Sequence, residues 1–152
     1  MKQPAPPRQR QSGILLLEAL IAMLIFSIGV LSIVALYANA IKLSGDAKYR
    51  SDAALLANQL ISQMWVGDRT PTVLNTNFAG SGGSGGAAYT AWLANVQATL
   101  PGADANPPSV TVDTSSAPSA TTGRVVVTLF WKAPSESASA PAHTYVETAQ
   151  IR

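Results

Sequence analysis

An uncharged, mostly apolar run from Ala19 to Ile41 dominates the pattern of the chain. As a helix its 23 residues would be about 35 Å long, enough to cross a bilayer. From Lys42 to Val66 the pattern becomes helically periodic. Tyr49, Ala53, Leu56, Ala57, Leu60, Ile61 and Met64 fall on one face, with Lys48, Asp52, Gln59 and Ser62 opposite. Ser44-Gly45-Asp46 interrupts this pattern, and glycine costs about 1 kcal/mol against alanine inside a helix, so a kink or joint is expected there. The helix should stop near Gly67-Asp68-Arg69-Thr70-Pro71.

Beyond that point the elements shorten. Thr72 to Gly86 reads as a flexible loop, ending in Gly80-Ser81-Gly82-Gly83-Ser84-Gly85-Gly86. Those glycines satisfy a G-x-G-x-x-G spacing, with Asp104 about 20 residues on. No buried strand precedes them, so a dinucleotide site is not expected. Ala87 to Leu100 predicts a short helix with Trp92, Leu93, Val96 and Leu100 at core spacing, ended by Pro101-Gly102. Three strands are expected at Ser109–Asp113, Arg124–Lys132 and Thr144–Ile151. The middle one buries Val125, Val127, Leu129 and Trp131 on a single face. Ala117–Thr122 and Ala133–Ala142 read as Ser/Ala/Pro-rich connections. The expected fold class is α+β, a long N-terminal helix packed on a small antiparallel β-sheet. The expected segments are 1–13, 14–41, 42–66 and a globular head over 67–152.

Charge changes the picture at the N-terminus. Met1 to Gly13 carries Lys2, Arg8 and Arg10 and no acid, with Pro4, Pro6 and Pro7 among them. Such a segment does not fold alone, and positives beside a hydrophobic span stay cytoplasmic. Without it the net charge falls from +2 to −1, so charge gives no reason to expect nucleic-acid binding. Glu18 stands just inside the apolar segment, where a charge costs roughly 2.5–3.5 kcal/mol near the centre of a span. A secretory signal peptide has an apolar core of only about 7–15 residues. A plain signal anchor accounts for the length and the positives, but not for Gly13-Ile14 followed by Glu18.

Gly13-Ile14-Leu15-Leu16-Leu17-Glu18 at the head of this run resembles the type IV prepilin family, including the pseudopilins of type II secretion. The resemblance implies that a prepilin peptidase cleaves the leader (1–13) between Gly13 and Ile14 and N-methylates Ile14. It also implies that Glu18 meets the N-terminal amine of a neighbouring subunit during assembly. The chain departs from the family at Ile14, where most members carry phenylalanine. It has no proline from Ile14 to Thr70, whereas major pilins usually have one. The order of elements after the long helix, with Val125-Val126-Val127-Thr128-Leu129-Phe130-Trp131 and a terminal Gln150-Ile151-Arg152, resembles the PilV kind of minor pilin. Gly29, Ser32, Ala35 and Ala38 recur every third residue and are candidates for close helix packing.

Candidates for catalysis are few. His143 is the only histidine and there is no cysteine, too few ligands for a zinc site and none for a disulfide. Asp104 and Asn106 offer calcium two oxygens without further ligands in register. Asp113, Glu136 and Glu147 are carboxylates that could pair in space. Trp92 and Trp131 are expected in the core and Trp65 less so. No cofactor, metal or enzymatic activity is expected. The expected role is a minor type IV pilin that primes pilus assembly and sits in a tip complex. Its expected partners are the prepilin peptidase, other minor pilins, the major pilin and the inner-membrane assembly platform. It would be a single-pass inner-membrane protein with a periplasmic head, later displayed at the pilus tip. A minor pseudopilin of type II secretion and a tip-displayed adhesin, reaching its ligand through Thr72–Gly86, are the alternatives.

Overall fold

A computed structural model describes residues 12–113, 123–137 and 139–151. Most of the expected leader, up to Gln11, and the connection Ala117–Thr122 lie outside the described residues. The chain divides into two units, one up to Ile41 and one from Lys42 onward. Helix α1 runs from Ser12 to Val66. The helix continues through Ser44-Gly45-Asp46, because a glycine penalty of about 1 kcal/mol is small against helical hydrogen bonding on both sides. It ends at Val66, where Gly67 donates its N–H back to Gln63.

The first unit has no internal core. From Ile14 to Ile41 every side chain of α1 is exposed within the chain. This helix is long and apolar enough to cross a membrane.

The core lies in the second unit. The predicted face of α1 is its centre: Ala53, Leu56, Ala57, Leu60, Ile61 and Met64 are buried and Tyr49 is partly buried. Against it pack helix α3 (Ala87–Thr99) and an antiparallel sheet in the order β2-β1-β3-β4-β5. The sheet comprises β1 (Gly80–Ser81), β2 (Ser84–Gly85), β3 (Ser109–Asp113), β4 (Gly123–Trp131) and β5 (His143–Ile151). β4 alternates as expected, with Val125, Val127, Leu129 and Trp131 buried. Its register with β5 is unbroken from Gly123↔Ile151 to Trp131↔His143. The architecture is thus α+β, a long apolar helix whose C-terminal half packs on a small antiparallel sheet.

Two tryptophans and a tyrosine lock the pieces together. Trp92 on α3 donates its indole N–H to the carbonyl of Leu56 on α1 at 3.0 Å, so a buried polar group is satisfied while a large apolar area is removed from water. Trp131 is also buried, whereas Trp65 is 44% exposed. Tyr89 is fully buried and donates its hydroxyl to the Pro108 carbonyl at 2.7 Å.

The loop expected over Thr72–Gly86 is instead a helix and a hairpin. Helix α2 (Pro71–Phe78) starts with proline at its first positions, where the missing N–H costs nothing, and buries Pro71, Leu74 and Phe78. Its exposed residues, among them Thr72, Asn75, Thr76 and Asn77, give the sequence its loop-like look. The glycines then form the β1–β2 hairpin, with Gly80↔Gly85 and Ser81↔Ser84 paired. Gly82 (φ +60°) and Gly83 (φ +83°) make the turn that two-residue hairpins favour. A Cβ at Gly80 or Gly85 would lie 2.6 Å from the Tyr89 ring, so the absent side chains are what let that ring lie against the hairpin. The glycine-rich stretch is a packed turn, not a spacer.

Candidate functional site

The prepilin-like residues sit on the N-terminal part of α1. Ile14, Leu17, Glu18, Ile21, Ala22 and Ile25 line a shallow apolar groove along one side of the helix. Positions four and seven apart share a face, so Ile14 and Glu18 lie one above the other, about 6 Å apart along the axis. Glu18 is the one ionisable residue of this groove, and it is exposed. Among the described residues nothing hydrogen-bonds or ion-pairs with it. Gly13 lies in the first turn of α1, ahead of Ile14.

Two serines of the segment are satisfied within the helix. Ser27 donates its hydroxyl to the Met23 carbonyl at 2.7 Å, and Ser32 donates to Ile28 at 2.9 Å. Both are four-residue back-bonds that let a hydroxyl tolerate apolar surroundings. Glu18 therefore stands apart: its charge is the one unmet demand on this face.

The small residues Gly29, Ser32, Ala35 and Ala38 lie on the exposed apolar part of α1. Steps of three residues on a helix of 3.6 residues per turn drift by about 60° each, so Gly29 and Ala38 face opposite sides. Neighbours such as Gly29 and Ser32, or Ser32 and Ala35, share a face. The full set Gly29, Ser32, Ala35 and Ala38 winds half-way round α1 and forms no single seam.

A second constellation lies at the β4–β5 end of the head, and sequence reasoning missed it. His143, the only histidine, opens β5, and its Nε2 is 2.7 Å from Oε1 of Glu136. Glu136 Oε2 accepts the backbone N–H of Ala133 at 3.0 Å. The imidazole stacks on Trp131 with ring centres 5.6 Å apart and planes 14° from parallel. The hydrogen bond from His143 holds the Glu136 carboxyl below its ordinary range. The pair clips the connection between β4 and β5. Trp131 and His143 are register partners across β4 and β5, and no local sequence pattern announces the contact with Glu136.

The remaining candidates stay apart. Asp113 pairs with Arg124 across β3 and β4 at 3.0 Å. Glu147 accepts the Tyr145 hydroxyl on β5. Asp104 is exposed, and Asn106 donates its side-chain amide to the Gly102 carbonyl at 3.3 Å. The three carboxylates Asp113, Glu136 and Glu147 thus serve three separate local contacts. No protein-family model, curated protein or solved structure matches the chain.

Proposed function

We propose that this chain is a minor type IV pilin, a structural subunit that helps prime pilus assembly within a tip complex of minor pilins. The observation that carries this reading is Glu18: one unpaired carboxylate on an exposed apolar helix, one turn beyond a Gly13-Ile14 junction that follows a basic leader. The precursor would sit in the inner membrane with its leader cytoplasmic and its head periplasmic. Prepilin peptidase would cut after Gly13 and methylate Ile14.

The new ammonium at Ile14 then lies at the positive end of a helix dipole, where a cation is disfavoured. A carboxylate from a neighbouring chain relieves that ammonium and its own desolvation together. Each subunit carries both halves of the pair, so the contact recruits and registers successive pilins. Priming fits the physics of nucleation, since the first subunits have no filament on which to dock. The adhesin alternative loses its flexible arm, because Thr72–Gly86 consists mainly of α2 and the packed hairpin.

The experiment is surface pilus number in a deletion strain, with retraction active and with retraction blocked, alongside type II secretion. An assembly primer predicts pili lost in the first condition and partly restored in the second, with secretion intact. Normal pili with failed secretion would overturn this in favour of a pseudopilin.

A further inference from the structure

The unpartnered polar groups on the apolar part of α1 sit near its two ends. From Ile14 to Ile41 the only side chains with a hydroxyl, an amide or a charge are Glu18, Ser27, Ser32, Tyr37 and Asn39. Ser27 and Ser32 donate to carbonyls one turn back. Among the described residues nothing hydrogen-bonds or ion-pairs with Glu18, Tyr37 or Asn39, and Tyr37 is 68% exposed. Polar groups left bare on an apolar helix need water or lipid headgroups, whereas the two serines can lie among acyl chains.

Their spacing matches a bilayer twice over. Glu18 and Tyr37 are 19 residues apart, about 28 Å along the axis, against about 30 Å for the hydrocarbon layer. The exposed apolar helix as a whole, Ile14 to Ile41, has 28 residues and is about 42 Å long, against about 40–45 Å for the layer with its headgroups. With Ala19–Leu36 filling the hydrocarbon layer, the end turns Ile14–Glu18 and Tyr37–Ile41 each fall at headgroup level. Tyrosine favours that level, with its ring in lipid and its hydroxyl in water. Sliding the helix does not readily move Glu18 among the acyl chains. Take Lys42, the next charge in sequence, as the outer limit instead: the roughly 20 residues that span the hydrocarbon layer then reach back only to Ala22, one turn short of Glu18. To reach the middle of the layer Glu18 would have to move about 15 Å, which would carry the apolar turns Ile28–Leu36 out of the lipid.

We infer that α1 is registered in the membrane by its two ends: its partner is a phospholipid bilayer with a hydrocarbon layer of about 30 Å, with Glu18 in the headgroup layer of one leaflet and Tyr37 in that of the other. There the Glu18 carboxylate meets water and headgroup amines, and it is dehydrated only when the helix leaves the lipid for a protein neighbour. This rests on α1 crossing a membrane and not on what the chain then assembles.

The chain has no cysteine, so single cysteines report position without background. Full-length L17C, I25C, L31C and A40C are treated with a membrane-impermeant sulfonated maleimide, in inverted inner-membrane vesicles and in spheroplasts, and rates are normalised to labelling after denaturation. The thiolate is the reacting species, and it does not form among acyl chains. L17C in inverted vesicles and A40C in spheroplasts should therefore react at least about tenfold faster than I25C and L31C in either preparation. L17C as slow as I25C would put the turn of Glu18 among acyl chains or under protein, and would overturn the inference. I25C as fast as L17C would overturn it as well, because the segment would then lie in water. Release of the parent chain by alkaline carbonate would do the same by removing the bilayer as partner. The deletion strain is a separate test: a slow L17C in a chain that still supports piliation would sink the depth assignment and leave the pilin reading standing.

Discussion

Gly85→Ala separates two accounts of the glycine-rich segment because they differ in sign. If the segment were an unstructured spacer, alanine would restrict the unfolded chain and stabilise the protein by about 0.4–1 kcal/mol, or do nothing. In the structure, a Cβ at Gly85 would lie 2.6 Å from the Tyr89 ring, 2.7 Å from the Ala79 carbonyl oxygen and 2.7 Å from the Gly80 Cα. Two of those three neighbours are backbone, and the third belongs to a ring whose hydroxyl is tied to Pro108. None can swing aside without moving the hairpin or α3. Overpacking of this kind costs about 1–3 kcal/mol.

The assay is thermal unfolding of the full chain in detergent micelles, followed by tryptophan fluorescence, to which the buried Trp92 and Trp131 report on the head. For a domain near this size each kcal/mol moves Tm by roughly 4–8 °C, so Gly85→Ala should lower it by about 4 °C or more. Ser81→Ala, at an exposed position of the same hairpin, should leave Tm within error. A Gly85→Ala protein that melts at or above the parent temperature would refute the packed-turn account.

Other changes probe other contacts. Trp92→Phe should cost about 1 kcal/mol for the lost bond to Leu56, and Trp92→Ala about 3–5 kcal/mol, both read from the same melting curves. Glu136, whose carboxyl is held below its ordinary range, contributes stability that is present above that range and lost as pH falls through its folded value. Tm measured from about pH 6 to about pH 3 should therefore drop less steeply in Glu136→Gln than in the parent, and equal slopes would count against the His143 clip. Glu18→Gln should remain in the membrane fraction yet fail to complement a deletion strain, since removing one partner of a buried pair costs about 3–5 kcal/mol, roughly two to four orders of magnitude in association. Full complementation would remove the basis of the proposed assembly contact.

How much was legible in the sequence depended on whether a pattern was local. The buried face of α1 and the alternation in β4 were readable because periodicity reports burial directly, and Trp92 followed from its spacing with Val96. α2 was not, because a helix of eight residues gives too few turns for periodicity to rise above its Thr and Asn content. The glycines misled for a related reason: composition says that they can be flexible, while only Tyr89, several residues on, shows what their missing side chains accommodate. His143 and Glu136 are separated by a connection whose fold no local pattern reveals, so their contact was invisible. At the N-terminal site Ile14 and Glu18 were legible only through the resemblance their motif carries, and the helix then puts them on one face. Gly29, Ser32, Ala35 and Ala38, which recur every third residue, spread half-way round α1 because the helix turns every 3.6 residues.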